Sequence, residues 1–409
     1  MSDSKDLRRR LTRLGRTRPK KPAQATRVRV HDSFLPGEEL RREHGHILRV
    51  EKIFQLQHQH GNLALSAFLE GMSGLHDVLD APREGGADLR WLFLDTETTG
   101  LAGGAGSFAF LVGVGVFDGA VFRLRQYFMR TPAEEPAMLD ALKEDFRSES
   151  GFVTYNGRTF DIPLLEMRYM IGLRERLPLG RWPQLDLLHL SRRLWKRQLP
   201  DCRLGTVERH ILHVERSEED VPGANIPAMY QHYLKTGETK DMRRVLYHNE
   251  IDILSLVVLA AEIQARHRSS DTGALSGSEA LGVARWHVQG ERYGEAEQSF
   301  RRATASEDNS VRRVALRQYA AYLKRAGRRV EAVPLWEGGY ELDPGDPAPC
   351  IELAKFYEWE ERDVIQAHTW ATHALEAVQS WQADWRKERM EGEIRHRLRR
   401  LDGKLEGDC

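Results

Sequence analysis

Short apolar runs and amphipathic stretches alternate along residues 90–265. The run "WLFL" (91–94) ends in turn residues, which is typical of a buried central strand. A second apolar run, "FAFLVGVGVF" (108–117), is followed by the turn "DG" and by the alternating stretch "AVFRLRQYF" (120–128). A tight turn between two such stretches favours antiparallel pairing. The pattern therefore predicts a three-stranded meander.

Helical spacing begins after this meander. The segment "EEPAMLDALKEDF" (134–146) has helical periodicity, "GFVTYNG" (151–157) predicts another strand, and "FDIPLLEMRYMIGL" (160–173) opens a helix. A last long helix, roughly 239–267, repeats its apolar residues at helical spacings. Strands first, and then alternating strands and helices, predict an α/β layer architecture.

The pattern changes again after a Ser/Gly-rich segment within 268–278, which predicts a linker. From 279 to 400 it is helical throughout. Ala296, Ala332 and Ala367 mark the second helices of three similar helix pairs, about 35 residues apart. That period predicts tetratricopeptide-like helical repeats. The alternative is an unrelated helical bundle with accidental periodicity.

Length and charge extend this picture. The 409 residues are too many for one ordinary core, so two or three domains are expected. The formal net charge is zero, yet residues 1–30 are strongly basic and lack an apolar period. They predict a disordered arm that serves either solubility or phosphate binding. Residues 31–88 form an N-terminal extension without a chemical pattern, and 89–267 form the α/β domain.

Cysteine usage and hydropathy limit the environment of the chain. Cys202, Cys350 and Cys409 lie far apart, which favours a reducing cytoplasm over a disulfide framework or a zinc site. No apolar stretch of about 18 residues occurs, so no membrane span is expected. The basic N-terminus lacks a following apolar core, so it is not a secretory signal.

Two acids end the first strand, in "FLDTETTGL" (93–101). Asp95 and Glu97 are separated by one residue, so their side chains project from the same face of a strand. Paired carboxylates repel each other unless a cation compensates. Mg²⁺ prefers carboxylate oxygen, so the pair indicates a metal site. An exposed turn with two solvated acids is the alternative.

Further acids follow later strands and helices. Asp161 comes just after a predicted strand, where it is either a site residue or a helix cap. Asn156 forms a turn before it, and the ring of Phe160 either stacks on a base or anchors the core. His248 and Asp252 lie four residues apart and share one helix face, as either site residues or a surface pair.

These segments together carry a family resemblance. "DTETTGL", "VTYNGRTFDIPLL" and "HNEIDILSL", in this order, resemble the DEDD exonucleases of the RNase H-like superfamily. With "FAFLVGVG" they are more similar to the bacterial YprB-like predicted exonucleases. The resemblance covers roughly 90–265. It implies an RNase H-like mixed five-stranded sheet with flanking helices, the first three strands being antiparallel. It also implies metal-dependent phosphodiester hydrolysis, usually from a 3′ end.

Carried over position by position, the resemblance implies four ligands for two Mg²⁺ or Mn²⁺ ions, with Asp95 bridging them. One ion would activate a water and the other would stabilise the leaving oxygen. His248 would accept the proton of that water, since imidazole titrates near neutral pH. The family places histidine five residues before the last acid and tyrosine four before it. Here histidine holds the four-residue spacing, so Tyr247 stays open as the base. The four ligands are Asp95, Glu97, Asp161 and Asp252.

Nucleic-acid contacts are expected around this site. Thr98, Asn156 and Phe160 are candidates for binding the terminal nucleotide. The basic stretch "SRRLWKRQ" (191–198) is a candidate phosphate track, in which Trp195 offers a stacking surface.

The sequence therefore predicts a cytoplasmic 3′–5′ exonuclease that acts on single-stranded DNA or RNA, with helical repeats that offer a surface to a protein partner. A scaffold with an inactive nuclease fold and an endonuclease remain the alternatives. The sequence does not distinguish DNA from RNA.

Overall fold

The computed structural model describes residues 35–71, 89–100, 106–146, 150–268 and 275–407. The segments outside these described residues include the predicted basic arm, residues 101–105 and the central part of the predicted linker. Within the described residues, no helix is both long enough and apolar enough to cross a membrane.

Seven strands form one mixed sheet in the order β1-β2-β7-β6-β5-β8-β9, and β3 and β4 form a separate two-stranded ribbon. The strands β1, β2, β7, β6 and β5 pair antiparallel, whereas β5, β8 and β9 pair in parallel. The strand bounds are β1 Glu38–Arg42, β2 Gly45–Gln55, β3 Gln59–His60, β4 Leu63–Ala64, β5 Arg90–Thr98, β6 Ala109–Asp118, β7 Val121–Phe128, β8 Ser150–Thr154 and β9 Gln184–Asp186.

The predicted RNase H-like mixed sheet is therefore confirmed, and it is wider than expected. The meander β5-β6-β7 and the parallel strands β8 and β9 are the five expected strands. The hairpin of β1 and β2, within the N-terminal extension, adds two more along the edge of β7. Strand β1 has no buried residue, and β2 is buried only at Ile47, Leu48 and Val50, as is usual for strands at the edge of a sheet.

Helices cover both faces of the sheet. The longest, α7, has 29 residues and carries the predicted histidine and last acid. A π-helical turn, Glu208–Leu212, directly follows α5. The helix bounds in this region are α1 Ser66–Gly71, α2 Glu135–Leu142, α3 Asp161–Gly172, α4 Leu187–Trp195, α5 Leu204–Val207, α6 Ile226–Thr236 and α7 Lys240–Arg268.

Two apolar cores lie on the opposite faces of the central strands because successive side chains alternate. Phe93 of β5 packs edge-to-face with Phe122 of β7, with ring centroids 5.7 Å apart. On the other face Phe110 of β6 stacks on Tyr230 of α6 at 3.8 Å. Strand β6 is buried over its first eight residues, as expected of a strand covered on both faces.

The C-terminal part of the described chain is all helical. Three antiparallel pairs, α8/α9, α10/α11 and α12/α13, precede a long last helix. Ser276 caps α8 in a reciprocal arrangement with Glu279. The bounds are α8 Gly277–Gln289, α9 Tyr293–Thr304, α10 Asn309–Arg325, α11 Arg329–Leu342, α12 Pro347–Trp359, α13 Val364–Gln379 and α14 Trp385–Gly407.

Helix α8 packs directly on the sheet domain. The indole of Trp195, at the end of α4, donates to Glu279 Oε1 over 2.9 Å, and Arg266 of α7 donates to the same oxygen over 3.0 Å. Buried side chains of α4, α7 and α8 belong to one continuous core. The first helix pair is therefore part of the same packed body as the sheet.

Candidate functional site

The strand-end acids lie at the carboxyl end of β5. The strand is buried over residues 91–94 and partly exposed from Asp95 onward. Asp95 pairs with Gly113 of β6, and the register of the two strands shifts just after Glu97. Because Asp95 and Glu97 are two residues apart in one strand, both side chains project from one face, as predicted.

A buried amide fixes one oxygen of Asp95. Asn249 of α7 is fully buried, and its Nδ2 donates to Asp95 Oδ2 over 2.8 Å. Its Oδ1 accepts from Gln126 Nε2 at 2.9 Å. Gly113 makes this possible, since a Cβ there would lie only 2.3 Å from Asn249 Oδ1. The packing of α7 on the sheet thus orients the carboxylate of Asp95.

Asp161 reaches the same pocket from the first residue of α3. The hydroxyl of Thr96, the residue between the two strand-end acids, donates to Asp161 Oδ1. Burial raises the pKa of Asp161 to about 6, although the hydrogen bond from Thr96 opposes the rise. The charge of Asp161 also raises the pKa of Asp95 and of Glu97, so its carboxylate lies within electrostatic reach of both.

His248 and Asp252 enter from α7, one helical turn apart. His248 Nε2 lies 3.7 Å from Glu97 Oε1 and 3.6 Å from Asp252 Oδ2. The other ring nitrogen, Nδ1, lies 2.7 Å from Asp220 Oδ1. A carboxylate only accepts, so Nδ1 carries the proton. Arg216 Nη1 lies 3.1 Å from Nδ1, but two donors do not pair, so the shorter contact determines the tautomer.

Tyr247 lies in a different place. It lines a polar cleft of about 460 Å³ together with Lys52 and Glu250, which form an ion pair. Of the two predicted bases, His248 therefore contacts the acids, whereas the side chain of Tyr247 borders this second cleft.

An arginine that the sequence did not single out neutralises the pocket. Arg216 donates to Asp252 Oδ1 and, through Nη2 at 2.6 Å and Nε at 2.7 Å, to both oxygens of Glu208. Its Nη1 also lies 3.4 Å from Asp220 Oδ2. Burial opposes the charge of Arg216, but the neighbouring carboxylates outweigh burial and raise its pKa. The guanidinium is thus a built-in cation at the edge of the acid cluster.

The four predicted acids influence one another strongly. Burial raises the pKa of Asp95 well above its ordinary value, and the charges of Asp252 and Asp161 raise it further. Burial likewise raises the pKa of Glu97, and the other three carboxylates add to the rise. Mutual repulsion of this kind is relieved by a multivalent cation.

The donor chemistry fits hard divalent ions, since carboxylate oxygen is the ligand that Mg²⁺ prefers. Among the described residues, however, no group of three carboxylate, imidazole or thiolate side chains forms a ready metal site. Asp252 is instead paired with Arg216, and Asp161 with Thr96. Ligation would need these partners to be exchanged for metal.

The predicted substrate contacts differ in their surroundings. Phe160, next to Asp161, is 51% exposed and is therefore available for stacking. Asn156 has a left-handed φ of 66°, and its backbone N–H donates to Asp186 Oδ1 over 2.8 Å. Asp186 also caps α4, where its side chain accepts from the backbone N–H of Leu188. The Thr98 hydroxyl donates to the Gly100 carbonyl over 2.8 Å.

One stacking prediction is wrong. Trp195 is fully buried, and its indole N–H is bonded to Glu279. Its aromatic faces lie in the core between α4 and α8, so it is not available to a base.

Several site residues escaped the sequence analysis. Asn249 directly follows His248, so adjacency was a usable signal for it. The other three lie between positions 208 and 220, where no spacing marks them: Glu208, Arg216 and Asp220.

Two comparisons with known proteins indicate the family of the chain. A model of the RNase_H superfamily matches residues 92–264, which include all four predicted acids and His248. The chain is also 35% identical over 339 residues to the "Uncharacterized protein YprB" of Bacillus subtilis (strain 168), an alignment that spans 79% of this chain and 78% of that protein. The chain therefore belongs to the same family as YprB, within the RNase_H superfamily.

Proposed function

We propose that this chain is a metal-dependent nuclease that removes nucleotides from the 3′ end of single-stranded DNA or RNA. Membership of the RNase_H superfamily indicates a hydrolase of nucleic acids. One observation carries the finer assignment. The carboxylates of a strand end and a helix start have raised pKa values, and the charge of Asp252, in the middle of α7, contributes to the rise at Asp95 and Glu97. An arrangement that costs folding free energy is typical of an active site.

Asp95, Glu97, Asp161 and Asp252 are the residues that would hold two Mg²⁺ or Mn²⁺ ions. Bound there, such ions would supply an activated water and charge stabilisation for the leaving 3′ oxygen. The chain itself contributes orientation: Asn249 holds one oxygen of Asp95, so that carboxylate keeps its direction when ligands change.

His248 is the general base in this proposal. With its proton on Nδ1, its Nε2 is free to accept the proton of the attacking water. Asp220 is a positioning residue, since it holds the ring and its tautomer. The guanidinium of Arg244 binds the backbone carbonyls of Glu219 and Asp220, at 3.0 Å and 2.8 Å, and so holds the loop that carries Asp220.

The exposed ring of Phe160 supports a single-stranded end as substrate. It adjoins Asp161, so an unpaired terminal base could stack on it while the phosphodiester faces the acids. Thr98 and Asn156 are the further candidates for contacts with that nucleotide. Action from the 3′ end follows from the family resemblance.

The helical pairs after residue 276 support a tetratricopeptide-like module that binds a protein partner. Their antiparallel pairing is the arrangement such repeats use. Hydrogen–deuterium exchange on an isolated complex would test this role. Protection on the first helices of the pairs is expected, and protection confined to α14 would contradict it.

A substrate panel tests the nuclease. Single- and double-stranded DNA and RNA, labelled at either end, are incubated with the full-length protein and Mg²⁺ or Mn²⁺, with Asp95→Asn as the blank. A ladder from 5′-labelled single strands that shortens one nucleotide at a time is expected. Internal cuts would indicate an endonuclease. Cleavage equal to that of the Asp95→Asn blank on every substrate would favour the scaffold.

A further inference from the structure

A second charged site lies where the helical region meets the sheet domain. The cleft has a volume of about 400 Å³ and is lined by the end of α4, the residues just after it, and α8. At Gly282 of α8 a Cβ would lie 2.6 Å from the carbonyl oxygen of Arg193, so the two helices approach backbone to backbone. The bond from Trp195 to Glu279 also fixes them. The cleft exists only because the two regions are docked.

Cations dominate this cleft. The described residues that line it include no carboxylate. Apart from the cations, they are Ser278, Leu281 and Gly282. The side chains on and just after α4 are mostly exposed to solvent. The guanidinium of Arg285 on α8 is half-buried and donates from Nε to Gln318 Oε1 over 2.6 Å. The cationic residues of the lining are Arg192, Arg193, Lys196, Arg197 and Arg285.

Like charges crowd each other here. Burial lowers the pKa of Arg285, and repulsion from Arg197, Arg193 and Arg317 lowers it further. The carboxylate of Asp308 is within electrostatic reach of Arg197 but accepts backbone N–H groups as the cap of α10. A bound polyanion would relieve this repulsion.

A neighbouring cleft in the helical region provides a contrast. It lies between α10, α11 and α12 and also carries cations, but its lining includes two acids, Asp346 and Glu352. There Arg313 pairs with Asp343 at 2.6 Å, and Lys324 pairs with Glu352. Its charges are balanced within the protein, whereas the described lining of the α4–α8 cleft offers no carboxylate to Arg192, Lys196 or Arg197.

We propose that the α4–α8 cleft binds the sugar–phosphate backbone of a nucleic-acid strand. This inference rests on the proposed function for the identity of the polyanion. The planar guanidinium group matches the geometry of phosphate oxygens. Cations that bind phosphates rather than base edges bind a strand without sequence preference. An acidic protein segment is the competing occupant that the test must distinguish.

The position of the cleft indicates its role. Helix α4 starts beside Asp186, which binds the Asn156 turn near the acid pocket, and it has nine residues. Nine residues of α-helix span about 13 Å. The cleft therefore lies about one helix length from the edge of the pocket. A strand whose end occupies the pocket must continue for several nucleotides to reach it, so long strands bind more tightly than short ones.

Binding to the full-length protein in EDTA tests the cleft independently of catalysis. Labelled single strands of about 3 and 24 nucleotides, of DNA and RNA, are titrated at several salt concentrations with anisotropy as the readout. The test variant is Arg192→Gln/Lys196→Gln/Arg197→Gln, which changes three exposed residues. The matched control removes three exposed arginines of α14: Arg389→Gln/Arg395→Gln/Arg399→Gln.

The test variant should lose about tenfold or more in affinity for the long strand at low salt. Its plot of log K against log salt should flatten by about 2, since each single-strand phosphate contact contributes about 0.7. The control variant should match wild type in both affinity and slope.

Unchanged affinity and slope in the test variant would overturn the proposal, and so would an equal loss in the control. Affinity independent of strand length would indicate a small-phosphate site and overturn it as well. Polyglutamate that displaces the long strand at equal charge concentration would assign the cleft to an acidic protein instead. If the test variant loses binding but wild type cleaves no substrate, the cleft is supported while the proposed nuclease function fails.

Discussion

The acid pocket and the α4–α8 cleft both crowd like charges, but they are built differently. In the pocket several groups have a fixed partner: Asn249 on Asp95, Thr96 on Asp161 and Asp220 on His248. In the cleft most cations lie on exposed side chains, and α8 contributes mainly shape. The pocket therefore suits chemistry that needs defined directions, whereas the cleft suits a backbone that can bind in many registers.

The two sites also differ in how they are neutralised. Arg216 supplies a cation to the pocket from within the chain, whereas the described lining of the cleft has no acid. Because Arg216 offsets part of the negative charge, we expect the metal-free pocket to be more stable than a pocket that contained the four acids alone. Five experiments test this difference between the two sites.

The largest effect is expected from the acids themselves. Asp95→Ala or Asp161→Ala should reduce Mg²⁺-dependent cleavage by about 10³-fold or more, because a ligand of the reacting centre is lost. The measurement is kcat and KM on a labelled single strand. The cleft variant Arg192→Gln/Lys196→Gln/Arg197→Gln should instead raise KM on long strands and leave kcat unchanged. A comparable fall in kcat for that variant would remove the distinction between the two sites.

His248→Ala should lower kcat by about 10²-fold, and its residual activity should rise at high pH as hydroxide replaces the base. The pH profile of kcat is the measurement. Tyr247→Phe serves as the control and should stay within about twofold of wild type, because Tyr247 borders a different cleft.

Asp220→Asn should give an intermediate loss, since an amide can present either a donor or an acceptor to Nδ1 and no longer fixes the tautomer as the carboxylate does. A larger loss for Tyr247→Phe than for His248→Ala would transfer the base role to the tyrosine.

Gly113→Ala tests whether the pocket depends on fixed directions. The new methyl group would meet Asn249, which orients Asp95, so cleavage should fall by about tenfold and stability by about 1–3 kcal/mol. Cleavage rates and thermal unfolding are measured together. Gly294→Ala is the control, because a Cβ there meets nothing within 4 Å. Wild-type cleavage in a folded Gly113→Ala protein would show that the orientation of Asn249 is dispensable.

The smallest effect concerns stability without metal. The folded pKa of Asp161 is raised to about 6, above an unfolded value of about 3.9. A raised carboxyl pKa means that the folded state binds the proton more tightly. Stability from this group is therefore present below about pH 4 and is lost as pH rises through 6. Asp161→Asn should stabilise the metal-free protein at pH 7 by about 1–2 kcal/mol, after allowance for its partial exposure.

Thermal unfolding in EDTA at pH 5 and pH 7 measures this effect. The difference between variant and wild type should be larger at pH 7 than at pH 5. A variant that is less stable than wild type at pH 7 would mean that the hydrogen bond from Thr96 outweighs the repulsion among the acids.

Local spacing explains what could be read from the sequence. Period two in β5 places Asp95 and Glu97 on one face, and the helical period of α7 places His248 and Asp252 together. The order of strands and helices followed from the same periodicities. These features depend on neighbours along the chain, so the sequence by itself determined them.

The tertiary structure decided which distant groups meet. Arg216 and Asp220 reach the pocket through the packing of their loop on α7, and no periodicity marks them. The same holds for the hairpin that widens the sheet, and for Trp195, whose burial depends on α8 docking against α4. The basic cleft needs both helices at once. Contacts between elements far apart in sequence are selected by shape and burial in the folded chain, so only the tertiary structure fixes them.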